Sequence, residues 1–187
     1  EGINQLTTLA AAKEKPFFLA VGILKPHLPF GAPNKYLAMY NGIKLAPILS
    51  PNKPVGISTW FNSAEVMSYN HWDKDPRVDA DFANEVRLHY AACVSYADAQ
   101  VGRILQQLKA SGADKNTIVV LWGDHGWNLG EHGIWGKHNL FNVALRSPLI
   151  ISYPGMKKAG VNANGVVESI DIFPTLCDLT QIEKPNF

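Results

Sequence analysis

Val120–Leu140 reads VLWGDHGWNLGEHGIWGKHNL, and its reading decides the fold. Just upstream, Thr117–Leu121 (TIVVL) is an apolar, β-branched run that predicts a buried strand. The run stops at Gly123, and Asp124 and His125 follow at once. Open α/β sheets place their ligand-binding groups at the carboxyl ends of strands. The stretch holds three of the six histidines, three of the five tryptophans and five of the fifteen glycines, so the chain's chemistry is concentrated in it. Glycine lets the backbone turn tightly and approach a ligand closely. The stretch is therefore expected to be the active-site loop.

The flanking segments predict the rest of an α/β domain. Residues 3–13 place Ile3, Leu6, Leu9 and Ala10 at helical spacing, and Pro16 ends the pattern. Phe17–Ile23 (FFLAVGI) predicts a strand buried on both faces, which implies a mainly parallel sheet flanked by helices. It runs into Lys25-Pro26-His27-Leu28-Pro29, where two prolines stiffen the loop around His27. Residues 31–78 are aperiodic and rich in Pro, Gly and Asn, with a short helix expected over 33–40. A loop this long either walls a cleft or packs on the surface. From Asp79 to Ala110, Phe82, Val86, Tyr90, Val94, Ala97, Val101, Leu105 and Leu108 recur at three- and four-residue steps. Asp79 or Asp81 is the candidate cap and Ser111-Gly112 the stop. Pro148–Tyr153 predicts a further strand. Ser169–Thr180 predicts a helix with Ser169 as N-cap and Pro174 in its first turn.

Composition narrows the function. The chain has 187 residues, 47% hydrophobic and 18% charged, enough for one ordinary domain with a sizeable core. A net charge of +1 with no Lys/Arg block argues against nucleic acid or an anionic membrane as partner. No apolar run is long enough for a membrane span, and no targeting signal is present in this stretch. Cys93 and Cys177 form no CxxC; two free buried thiols are expected, with a single disulfide left open. The chain begins at Glu1, already inside a helical pattern, and both ends read as interior positions of a longer domain.

An adjacent Asp-His at a strand end suits a metal, the carboxylate supplying charge and the imidazole a neutral nitrogen. The competing reading of Asp124-His125 is a helix cap beside a surface histidine. Lys137 near such a site would neutralise an anionic phosphoryl or sulfuryl oxygen; otherwise it is a solvated lysine. His27 is a candidate general acid or a loop histidine bonded to a carbonyl. His132 either touches substrate or braces the loop. Trp127 and Trp135 are packing residues or an aromatic wall for a sugar. His89 and Cys93, on the long helix, read as structural.

Five segments then carry a resemblance. In their order and spacing, PFFLAVGILKPHLPF, YAACVSYADAQVGRIL, WGDHGWNLGEHGIWGKHNLFN, RSPLIISYPG and SIDIFPTL resemble the type I sulfatases. The iduronate-2-sulfatase branch and its bacterial relatives are the nearest pattern. The family lies within the alkaline-phosphatase-like superfamily and hydrolyses sulfate esters with a formylglycine nucleophile and, usually, a calcium ion. The resemblance implies that Asp124 and His125 are metal ligands. It implies that Lys137 and His27 are catalytic, meeting the sulfate and serving the leaving group. Trp127, His132 and, beside Lys137, His138 become candidate substrate contacts. It also implies a sulfated carbohydrate as substrate and a periplasmic, secreted or lysosome-like setting.

The family's nucleophile motif, C-x-P-S-R, is absent: Cys93 precedes Val-Ser-Tyr-Ala and Cys177 precedes Asp-Leu-Thr-Gln. The family's first pair of metal-binding aspartates and its nucleophile-adjacent arginine are absent too. Residues 1–187 are therefore expected to be a partial sulfatase catalytic domain. The formylglycine segment and the C-terminal subdomain lie elsewhere, on the same protein or on a second chain. Two ligands hold calcium weakly, since it takes about six to eight oxygens, so this chain alone is expected to be inactive. The alternatives are a metal-dependent phosphohydrolase of the same superfamily and a non-catalytic sulfatase-like domain.

Overall fold

The computed structural model describes residues 1–56, 59–63 and 65–185. The helical period of the first residues becomes α1 (Gly2–Ala11), with Leu6 buried. The short helix expected over 33–40 is α2 (Asn34–Leu37) continued by a 3₁₀ turn, Ala38–Tyr40. The long apolar period becomes α3 (Ala80–Ala110), 31 residues. Asp79 caps it, accepting from the Phe82 N–H at 2.9 Å, and Gly112 turns the chain at its end with φ of 73°. α1 and α2 pack along α3. The Tyr40 hydroxyl donates to the Ala91 carbonyl of α3 at 3.1 Å.

The cap gives a first prediction. Asp79→Ala leaves an amide of the first turn without its acceptor and costs about 1 kcal/mol. A lowered urea midpoint for Asp79→Ala, with Asp79→Asn close to the parent, is the expected measurement.

Beyond α3 come β1 (Val119–Trp122), β2 (Asn128–Leu129), β3 (Trp135–Gly136), α4 (Asn142–Leu145) and β4 (Leu149–Ser152). β1 pairs antiparallel with β4, Val119 opposite Ser152 and Trp122 opposite Leu149. β2 pairs antiparallel with β3, Asn128 opposite Gly136. Both strands expected beside the site loop are thus present, but the mainly parallel sheet is not: among the described residues every strand pair is antiparallel.

Phe17–Ile23 corrects the sequence reading further. It is extended but joins no sheet, and Phe18 is 82% exposed. β1 is only half covered, with Trp122 47% exposed. The physical reason is common to both. An apolar, β-branched run favours a covered strand, but the cover and the second hydrogen-bonding edge come from neighbours. No described segment supplies them here.

The loop of residues 31–78 packs on the domain rather than standing off it. Its described part contains a 3₁₀ turn, Glu65–Ser68, that lies against β3; positions 57, 58 and 64 lie outside the described residues. Leu28, Val66, Trp127 and Trp135 meet Phe82, Ala83 and Val86 of α3 in one buried cluster. Both cysteines are free and buried. Burial pushes the Cys93 thiol up, as expected of a core residue rather than a reactive one.

Gly155–Phe187 forms a separate compact unit. There a 3₁₀ turn (Ser169–Asp171) leads into α5 (Ile172–Thr180). The cap is Glu168 rather than the expected Ser169. Its N–H donates to Asp171 Oδ2 at 2.8 Å, half of a reciprocal capping box. No helix among the described residues is long and apolar enough to cross a membrane.

Candidate active site

The core cluster also places the chemistry. Leu28 is the neighbour of His27, Val66 of Glu65, Trp127 lies two residues after His125, and Trp135 two before Lys137. Each polar side chain is thus carried on a segment fixed by a buried one.

His27 sits in a turn, its N–H donating to the Leu24 carbonyl at 3.0 Å. The Lys25–Pro26 and Leu28–Pro29 peptides are both cis. Lys25 Nζ ties the turn together by donating to the His27 carbonyl at 3.2 Å and the Pro29 carbonyl at 2.5 Å. His27 Nδ1 lies 2.8 Å from the Leu28 carbonyl. A carbonyl only accepts, so Nδ1 carries the hydrogen and Nε2 presents its lone pair. Nε2 faces Lys137 Nζ at 3.4 Å.

Lys137 is held from several sides. Its ammonium lies 3.3 Å from Glu65 Oε1 and 5.5 Å from the centre of the Trp127 ring. The Lys137 carbonyl accepts from Asn139 Nδ2 at 2.5 Å, and the same amide nitrogen donates to Asn128 Oδ1 at 3.0 Å. Asn128 is fully buried. Gly136 permits this assembly, because a Cβ there would collide with Ser63 Oγ.

Asp124 and His125 leave the carboxyl end of β1 together. His125 Nδ1 donates to the Gly126 carbonyl at 2.7 Å, which leaves the lone pair on Nε2, 3.7 Å from Asp124 Oδ2. One cation bonded to both at about 2.3–2.6 Å spans such a gap, and a backbone-anchored second nitrogen is the usual state of a metal-binding histidine. The Asp124 side chain is 79% exposed. Asp124 is not a helix cap, since β2 follows rather than a helix. The pair fits a cation as part of a donor set. Among the described residues no third His, Cys, Asp or Glu completes the set. Gly126 docks the pair on the fold: its N–H donates to the Ala144 carbonyl at 2.7 Å, and a Cβ there would collide with the Val143 carbonyl oxygen.

The structure thus brings His27 to Lys137 and Asp124 to His125. Among the described residues no hydrogen bond or ion pair joins one couple to the other. Trp127 is buried in the core, edge-on to Phe30 at 5.8 Å, and meets the site through the face it turns to Lys137. His132 has φ of 58°, stacks on Phe141 at 4.0 Å, donates its N–H to the Ser50 carbonyl at 2.6 Å and accepts from Trp60 Nε1 at 2.7 Å. Those contacts are a brace. His138 is exposed, with Nδ1 3.8 Å from Glu65 Oε2. His89 donates to the Phe30 carbonyl at 3.2 Å, a structural role as read from its place on α3.

Sequence reasoning missed Glu65, which pairs with two site residues from the middle of the aperiodic loop. It also missed Asn128 and Asn139, which fix the backbone around Lys137.

Residues 1–182 match the sequence profile of the family described as Sulfatase. The chain is 36% identical to a sulfatase of Formosa agariphila, over 91% of this chain and 33% of that protein. It is 33% identical to human iduronate 2-sulfatase, over 97% of this chain and 39% of that protein. Among solved structures, a phosphonate monoester hydrolase from Silicibacter pomeroyi superimposes with a TM-score of 0.81 at 29% identity, over 98% of this chain and 38% of that one. The chain spans about a third of the length of the curated relatives it matches.

Proposed function

The chain belongs to the sulfatase family, and on that ground we propose that it is the middle section of a catalytic domain that hydrolyses a sulfate ester. The substrate is a sulfated carbohydrate, an iduronate 2-sulfate-type unit being the model, in a secreted, periplasmic or lysosome-like setting. The observation that carries the proposal is the 3.4 Å approach of Lys137 Nζ to His27 Nε2. It puts a fixed cation and a proton-exchanging nitrogen at one point, the two functions that sulfuryl transfer asks of side chains.

The residues of this chain have distinct tasks. The Lys137 ammonium meets a sulfuryl oxygen and offsets its charge. His27 takes a proton from solvent onto Nε2, giving up its contact with Lys137, and delivers it to the leaving alcohol oxygen as the sulfur–oxygen bond breaks; its Nδ1 stays on the Leu28 carbonyl throughout. Asp124 and His125 would hold part of the coordination sphere of a divalent metal, calcium by family resemblance, and the metal would polarise the sulfuryl group. The nucleophile, a formylglycine in this family, comes from outside these 187 residues, on the same protein or on a second chain. The uncovered faces of Phe17–Ile23 and β1 are where further strands of a mainly parallel sheet would join.

A second reading rests on the likeness to a phosphonate monoester hydrolase: phosphoryl or phosphonyl transfer at the same site. The complete protein, assayed on matched aryl sulfate and aryl phosphate, separates the two. Faster sulfate turnover is expected. A strong phosphate preference overturns the sulfatase reading, and no turnover of either ester supports a non-catalytic domain.

A further inference from the structure

The geometry points to Glu65 as a positioning residue for Lys137, a role that rests on the catalytic reading of Lys137 above. Glu65 stands at the start of its 3₁₀ turn with two independent anchors. Val66 is buried in the core, and the Glu65 Cβ lies 3.5 Å from where a Cβ on Gly136 would be, one residue before Lys137. The carboxylate therefore has little freedom. Oε1 lies 3.3 Å from Lys137 Nζ, and Oε2 lies 3.8 Å from His138 Nδ1. Oε2 is shielded from solvent and makes no hydrogen bond.

A carboxylate in that state is unfavourable unless an opposite charge repays its desolvation. Among the described residues it caps no backbone amide. Its described partners are Lys137 and His138, so the fold gains nothing from the charge except control of those two residues. The Glu65 and Lys137 side chains are each 19% exposed, and a lysine head group is a point charge on a flexible four-carbon stem. Glu65 on one side and His27 on the other fix where that charge sits, and one ammonium hydrogen remains for a sulfuryl oxygen.

Glu65 also lowers the net positive charge that an arriving anion meets. Its removal should therefore separate two quantities that a general loss of structure would move together. Turnover falls because Lys137 is no longer aimed, whereas binding of a small anion does not weaken.

The test is a double-mutant cycle in the complete protein, run on whichever aryl ester the parent turns over, with inorganic sulfate as inhibitor. Glu65→Gln should lower kcat by about 10- to 100-fold, on the scale of losing an outer partner that orients a metal ligand. Inhibition by sulfate should be unchanged or stronger. Glu65→Asp should recover part of kcat. In a Lys137→Ala background Glu65→Gln should cost nothing further. An unchanged kcat in Glu65→Gln, or an equal loss in both backgrounds, overturns the inference. So does a loss of kcat that only tracks a fall in Tm or folded fraction. The sulfatase reading fails separately, if the parent prefers phosphate, and the cycle on the phosphate ester still decides the role of Glu65.

Discussion

Lys137→Ala is expected to lower kcat for an aryl sulfate by about 100- to 1,000-fold in the complete protein, the cost of deleting one preorganised charge at a reacting oxygen. KM rises by less. The ammonium is already desolvated and aimed, with Glu65 at 3.3 Å, His27 Nε2 at 3.4 Å and the Trp127 ring beneath it at 5.5 Å. It needs no reorganisation when charge develops. The substitution also strands the Glu65 carboxylate, which destabilises the fold by about 1–3 kcal/mol. Lys137→Ala combined with Glu65→Gln removes both charges and should restore most of the Tm while leaving kcat low. Steady-state kinetics and thermal unfolding on the three variants check this. Recovery of kcat together with Tm would show that Lys137 serves only stability.

His27→Ala should give the second large effect, and one that depends on the substrate. For an alkyl sulfate the departing alkoxide is strongly basic and needs a proton, so the loss is about 100- to 10,000-fold. For 4-nitrophenyl sulfate the departing phenolate is stable without one, and the loss should be several-fold smaller. The discriminating measurement is therefore the slope of log(kcat/KM) against leaving-group pKa. It steepens in His27→Ala if His27 supplies the proton. A uniform loss across leaving groups would falsify that role and leave His27 as a binding contact. Asn is not a neutral control at this position, because Nδ1 holds the Leu28 carbonyl and the functional atom is Nε2. Gln reaches closer to the Nε2 position and is the better replacement.

The elements legible in the sequence are those whose signals are local. α3 was readable because its period, its Asp79 cap and its Gly112 stop all lie within its own residues. β1 and β4 were readable as apolar runs bounded by Gly123 and Pro148. Their antiparallel pairing was not, because an apolar run does not encode the direction of its neighbour. Phe17–Ile23 looked like a strand because its side chains favour cover, yet hydrogen-bonded pairing is a property of two segments. In the candidate site, His27, Asp124, His125 and Lys137 stand out by residue type at ends of apolar runs or in a Gly-rich loop. Glu65 did not: it is one acid in a loop without period, and what selects it is the space left by Gly136. The bracing role of His132 was likewise set by Ser50 and Trp60, distant in sequence and invisible to spacing.

The contact between Lys137 and His27 bridges 110 positions of the chain. Closing so long a loop costs entropy before the contact returns anything, so such contacts form late in folding. α3, built from neighbours three and four apart, needs no such closure. Helical signal therefore reports α3 and is blind to the site. A preparation can be fully helical by spectroscopy while its lysine and histidine are no longer together, and only a readout of the site itself reports the native state.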